Sequence, residues 1–170
     1  MKKPKSKSVE AVKKALADAG SEAKVKKLRK TAGSTKGAAK ALKAPLGAMV
    51  KSAIYMIGKQ AVMVLIAGDK RCASEALPRA FNLEGKVSAA DADQVRAASG
   101  FPMSGLSPVG LTAPLPTVID VSLKRFDTVY VAAGQSLYVF PTTMAELKSL
   151  TAGLVSYNIT KGDAHNPVKA

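Results

Sequence analysis

Apolar residues recur along this chain in two rhythms, and the rhythm changes several times. Near the start, "SVEAVKKALADAG" sets Val9, Val12 and Leu16 three and four positions apart. That is the spacing of one helix face, with Ser8 in the place of a cap and Gly20 as a stop. The next run, "AKVKKLRK", predicts an edge strand whose Lys and Arg would discourage pairing with another molecule. "STKGAAKALKAP" predicts a short helix ended by Pro45. The apolar stretch from Ser52 to Gly68 is broken by Gly58, Lys59 and Gln60 and falls short of the ~20 residues that span a bilayer. It predicts a hairpin of two buried strands, "MVKSAIYMI" and "AVMVLIAG". "CASEALPRAF" predicts a helix kinked or restarted at Pro78, "KVSA" a short strand, and "DADQVRAASG" a helix from Asp91 to Gly100. Then "FPMSGLSPVGLTAPLP", Phe101 to Pro116, holds four prolines and two glycines, which exclude both helix and central strand. Three strand-like runs follow, "PTVIDVSL", "DTVYVAAG" and "SLYVF", then the helix "TTMAELKSLTAG" and a last apolar run, "LVSYNI".

Helices and strands therefore interleave without a regular βαβ period, and several strands are joined by short turns. The order predicts an α+β fold with a mixed, largely antiparallel sheet and flanking helices. A chain of 170 residues supports one domain with a core. We place that domain at residues 8–160, between a flexible basic arm over 1–7 and a C-terminal tail over 161–170. With 47% hydrophobic residues but only 5% aromatic and no Trp, the core must be built from Ala, Val, Leu, Ile and Met. No apolar run follows "MKKPKSKS", so the start is not a secretory signal, and the chain is expected in the cytoplasm without membrane association. The single cysteine, Cys72, cannot form an internal disulfide and reads as a small packing residue. The single histidine, His165, lies in a polar stretch, so neither a metal site, a cofactor nor Ser-His or Cys-His catalysis is expected.

Charge changes the picture. Lys and Arg number 26 against 12 Asp and Glu, a net +14, and residues 1–51 alone hold 15 against 3. A block this asymmetric attracts polyanions, because neutralised phosphates release counterions. Nucleic acid is the expected partner, through the arm and through Lys24, Lys26, Lys27, Arg29 and Lys30; a solvated basic face or solubilising arm is the plainer alternative. A membrane-surface helix would lack Trp anchors.

"MVKSAIYMI", "SGLSPVG" and "TVIDVSLKRFDTVYVAAG", in this order and spacing, resemble the YbaK/ProX family of free-standing aminoacyl-tRNA deacylases, related to the editing domain of prolyl-tRNA synthetases. The resemblance covers roughly residues 8–160. It implies a mixed α+β fold, hydrolysis of amino acids wrongly attached to tRNA, and as partners mischarged aminoacyl-tRNA and a synthetase. It also implies a lysine at Lys51 and a GxxxP loop facing the ester. Here the first position of that loop is Ser104, where the family usually has Gly. Gly105, Leu106, Ser107 and Pro108 would form a wall whose backbone N–H groups stabilise an oxyanion; a rigid connection without a ligand is the alternative. Gly134 and Tyr138 fall at the "AAG" turn and the strand after it, where some members carry an acid, so discrimination by a carboxylate is not expected. Thr35 is read as a helix cap or a pocket residue, Asp120 as a polar strand end, and Asp69, Lys70 and Arg71 as a solvated turn.

Alternation puts Lys51 on the face of Met49, Ala53 and Tyr55, opposite Val50, Ser52 and Ile54, which by itself leaves solvent and pocket both open. The resemblance implies that it faces Ser104 to Pro108 and holds the phosphate of the terminal adenosine as a point charge. General-base work is not expected of a lysine protonated at neutral pH. The implied activity is deacylation of tRNA carrying Ala, Ser, Thr or Cys, by positioning and oxyanion stabilisation without an enzyme nucleophile. A non-catalytic nucleic-acid-binding module is the alternative.

Overall fold

Ser6 has extended backbone, and its hydroxyl accepts the amide of Val9, 3.5 Å away. Helix α1 (Lys7–Asp18) is therefore capped two residues before the expected cap at Ser8, and Lys7 belongs to the helix rather than to an arm. The computed structural model describes residues 6–163, so Met1 to Lys5 of the expected arm lie outside the described residues. The face read from the sequence, Val9, Val12 and Leu16, is the one buried.

Strand β1 (Lys26–Lys27) is shorter than the run that predicts it; Lys30 already enters a 3-10 turn over Lys30–Ala32. Helix α2 (Thr35–Ala41) is capped by Ser34, whose hydroxyl accepts the Gly37 amide at 2.9 Å, so Thr35 is its first helical residue and not its cap. The predicted hairpin is β2 (Val50–Ile57) and β3 (Gln60–Ala67), turned by Gly58 at φ +60. β4 (Lys70–Cys72) leads to α3 (Leu77–Phe81), restarted by Pro78 in its first turn. β5 (Val87–Ala89) precedes α4 (Ala92–Ser99), where Asp91 and Gln94 form a capping box and Gly100, at φ +83, ends the helix. Both ends are local signals. β6 (Thr117–Asp120) is half the predicted length, because the Asp120 carboxylate accepts the Ser122 amide at 3.0 Å and turns Val121–Arg125 into a 3-10 helix. β7 (Val129–Ala132), β8 (Tyr138–Thr142), α5 (Met144–Thr151) and β9 (Leu154–Ser156) follow. β10 (Thr160–Asp163) takes in residues 161–163, expected as tail; residues 164–170, with His165, lie outside the described residues.

The strands form a five-stranded sheet in the order β5-β2-β3-β6-β9, antiparallel on the β5 side and parallel from β3 to β9. An antiparallel sheet, β1-β8-β7, joins it through a parallel bridge between Met49 and Tyr130, and β4 pairs with β10. This is the mixed α+β fold the sequence predicts. Alternation along the hairpin divides the core. Val50, Ile54, Met63, Leu65 and Ile119 face α1, the Pro/Gly loop and the smaller sheet, meeting Phe101, Leu106, Val109 and Phe140. Ile57, Val62, Val64, Ile66 and Val118 face the other way, toward Leu77 and Ile159. Each fully buried side chain of this size contributes about 1.5–3 kcal/mol. Among the described residues no helix is long and apolar enough to cross a membrane.

Candidate functional site

The Pro/Gly loop is held by contacts that only glycine permits. A Cβ on Gly105 would strike the backbone of Gly134 and Gln135, and the Gly105 carbonyl accepts the Gly134 amide at 2.9 Å. A Cβ on Gly134, at φ +97, would stand 2.5 Å from the Ser8 carbonyl oxygen; one on Gly110, at φ +86, would stand 2.9 Å from that of Ala11. The first turns of α1, the loop and the β7–β8 turn are thus stacked backbone against backbone.

This stacking corrects the expected role of the loop. Gly105, Leu106, Ser107 and Pro108 are buried, the Gly105 amide donates to the Pro102 carbonyl at 3.0 Å, and the Leu106 amide donates to that of Met103 at 3.5 Å. The Ser107 hydroxyl accepts the Val109 amide at 3.2 Å, and Pro108 lines a separate groove between the ends of α1 and α5. The amides of Gly105 and Leu106 are occupied inside the fold and do not face an open wall. Only Ser104, exposed at the loop's outer turn, reaches the neighbouring pocket.

That pocket, of about 160 Å³, lies where α2 meets the start of β2 and the smaller sheet. Thr35 and Ala38 come from α2, Met49 and Val50 from the entry to β2, Tyr130 from β7, and Gln135, Ser136 and Tyr138 from the β7–β8 turn and β8. Among the described residues, no charged side chain lines it. Of the residues read from the sequence, Thr35, Ser104 and Tyr138 come together here, with Gly134 buried beside Gln135. Tyr130, Gln135 and Ser136 were missed. Tyr130 is placed by its bridge to Met49, which joins positions far apart in sequence and leaves no local pattern.

Lys51 is not brought to this pocket. It pairs with Ile66 across the hairpin, so its side chain lies on the second core's face, opposite the face that packs Leu106 and Val109. Its ammonium donates to the Lys70 carbonyl at 2.9 Å, and burial lowers its pKa from the ordinary lysine value, with Asp69 opposing the shift and Arg71 adding to it. The stretch Asp69 to Arg71 is not a merely solvated turn. Arg125 holds the Asp69 carboxylate through two bonds, 2.7 and 3.0 Å, which keep that carboxyl below its usual range. On the same side of the sheet, Asp120 is buried and accepts from Ser122 and Thr160, while Cys72 is half-buried and bonded to Tyr55. Burial and that thiol push the Tyr55 hydroxyl up to about 12.

A basic groove of about 600 Å³ adjoins the pocket, lined by Lys27, Leu28 and Arg29 and by Gly37, Lys40 and Ala41 of α2. Leu28 lines both. The Lys27 ammonium lies 5.8 Å from the centre of the Tyr138 ring, so groove and pocket meet at that residue. Lys26 and Lys30 are exposed nearby in sequence, whereas Lys24 lines a different groove, with Lys13 of α1. Lys40 was missed by the sequence reading.

Residues 29–150 match a family model described as an aminoacyl-tRNA editing domain. A crystal structure described as a candidate trans-editing enzyme for prolyl tRNA synthetase superposes with a TM-score of 0.86 at 31% identity, over 94% of this chain and 100% of that one. Uncharacterized protein YwhH of Bacillus subtilis (strain 168) is 27% identical over 104 residues, 61% of this chain and 65% of that protein. A proline–tRNA ligase of Lactobacillus gasseri is 31% identical over 99 residues, 58% of this chain but 17% of the ligase. The matched part of this chain thus spans less than two thirds of either relative.

Proposed function

Because the chain belongs to the aminoacyl-tRNA editing domain family, we propose that it hydrolyses, in trans and in the cytoplasm, the ester joining a wrongly attached small amino acid to tRNA. The observation that carries this reading is the junction of a small uncharged pocket with a basic groove along α2. Lys27, Arg29 and Lys40 would take phosphates of the 3′ single strand, and the pocket would receive the aminoacyl group. Lys26 and Lys30 would add long-range attraction.

Water adds to the ester carbonyl, and the tetrahedral species collapses by releasing the ribose oxygen, giving free amino acid and uncharged tRNA. Among the described residues no lining side chain is a thiol, imidazole or carboxylate, so in this reading the chemistry rests on holding the ester and on the substrate's own neighbouring ribose hydroxyl. An activated ester needs less help than an amide. The ligase relatives and the trans-editing neighbour make tRNA charged by a prolyl-tRNA synthetase the first substrate to try, and that synthetase a candidate partner.

A second reading, a tRNA-binding module without catalysis, is favoured by one observation: the amides of Gly105 and Leu106 are occupied by Pro102 and Met103. Incubation with a panel of mischarged tRNAs, following loss of the ester, separates the two. We expect release of small amino acids and retention of large ones. Binding without release from any tRNA would replace the hydrolase by the module.

A further inference from the structure

We infer that the Asp69–Arg125 pair is a positioning device: it closes over Gly47 and fixes the turn that delivers Met49 and Val50 to the pocket, so its loss slows turnover without loosening the hold on tRNA. This rests on the editing reading and adds to it two residues that do not line the pocket. Arg125 ends the 3-10 helix over Val121–Arg125, and its side chain is tied at several points. Its Nε donates to the Ser122 carbonyl at 2.7 Å, and its two terminal nitrogens donate to the Asp69 carboxylate at 2.7 and 3.0 Å. The guanidinium also lies 4.8 Å from the centre of the Phe126 ring. A planar fork held in this way has one orientation, which the point charge of a lysine would not impose.

Gly47 sits against the pair. A Cβ there would stand 2.7 Å from Phe126 Cζ and 3.0 Å from both an Arg125 nitrogen and the Asp69 carboxyl carbon, so only glycine fits under the closed pair and ring. Gly47 belongs to the 3-10 turn Leu46–Ala48, which Gly68 supports from another side: a Cβ on Gly68 would strike the carbonyl oxygens of Leu46 and Met49. This turn joins α2 to β2. Leu46 and Met49 pack with Ala38, Ala39 and Leu42, and Ala38, Met49 and Val50 line the pocket. A turn released from Arg125 and Asp69 would thus let the β2 side of the pocket shift against its α2 side. Displacing a bound ester by ~1 Å can cost a hundred-fold in rate, whereas phosphate attraction acts over ~8–10 Å and hardly registers such a shift. The pair is partly exposed, and exposed pairs add little stability, so its variants should still fold.

The test uses a mischarged tRNA that the natural chain deacylates, with melting curves to confirm that each variant is folded. Asp69→Asn keeps the shape of the acid and removes its charge, and Arg125→Ala removes the other partner. Lys124→Ala takes an exposed charge from the adjacent residue and leaves the pair intact. We expect Asp69→Asn and Arg125→Ala each to lower kcat about ten-fold, the double variant to fall no further, and KM and the affinity for uncharged tRNA to stay within about two-fold. Arg125→Lys, with the charge but not the fork, should recover only part of the loss, and Lys124→Ala should match the natural chain. Asp69→Asn makes the chain more positive and Arg125→Ala less so, which separates position from attraction. Opposite shifts in tRNA affinity with unchanged kcat would make the pair a charge effect and overturn the inference, as would equal turnover in all variants. Methyl NMR gives a readout without substrate: Asp69→Asn should move the signals of Met49 and Val50, and unmoved signals would also overturn it while the editing function stands. Release from no mischarged tRNA by the natural chain would overturn the editing reading, and this inference with it.

Discussion

Lys51 stands opposite Ile66 in the β2–β3 ladder, and that pairing decides where its ammonium can go. It ties the first residues of β2 to the Lys70 carbonyl, next to Val50, which lines the pocket. In the proposed reaction its influence would therefore be that of a positioning residue. We expect Lys51→Ala to fold but to lose about ten-fold or more in kcat, since small displacements of a bound ester are costly, with KM nearly unchanged. Lys51→Arg, which restores a donor, should recover part of the loss. Lys59→Ala, in the exposed hairpin turn, should behave as the natural chain. Steady-state kinetics on matched, folded samples check this, and equal activity of the two alanine variants would remove Lys51 from the mechanism. At this scale the sequence disclosed residue types better than directions. Ser104, Thr35 and Tyr138 were legible as pocket candidates, but the side of the sheet on which Lys51 emerges depends on which face the loop covers, and no local pattern records that.

At the scale of elements, the signals that could be read were the local ones. Asp91 with Gln94, Gly100 after α4, and the Gly58 turn of the hairpin each act within a few residues, and each element stands where predicted. What was misread depends on distant partners. Asp120 cuts β6 short by capping its own exit, and residues 161–163 become a strand only because β4 is there to pair with them. The glycine crossings belong to the same class, and they give a prediction. Gly134→Ala adds a methyl 2.5 Å from the Ser8 carbonyl at φ +97, whereas Gly20→Ala, at φ +72, meets nothing within 4 Å. The Gly20 change should cost about 1 kcal/mol for its left-handed backbone alone. The Gly134 change should cost about 3 kcal/mol or more, a drop in Tm of roughly 10 °C for a chain of this size. Calorimetry that found the two equally tolerated would mean that α1 does not bear on the β7–β8 turn.

Across the whole molecule, the positive charge is concentrated in the first third of the chain, and part of it converges on one groove beside the pocket. Replacing Lys27, Arg29 and Lys40 together by Ala should weaken tRNA binding and flatten the slope of log affinity against log salt by about two. Titrations at several salt concentrations would show it, and an unchanged slope would make the groove a bystander. The basic bias was legible from composition alone; its convergence with Tyr138 was not, because β1 reaches that residue only by pairing with a strand more than a hundred residues later. The same long reach governs α1. Ser8 lies against Gly134, and the Ser21 hydroxyl donates to Glu146 at 2.9 Å, 125 residues away. On a ribosome adding about 5–20 residues per second, the first helix emerges roughly ten seconds before its seat exists. Throughout that interval Val9, Val12 and Leu16 form an uncovered apolar stripe on a cationic helix, open to chaperones or to other nascent chains. A message truncated before α5 would therefore yield a chain whose beginning stays permanently unfinished.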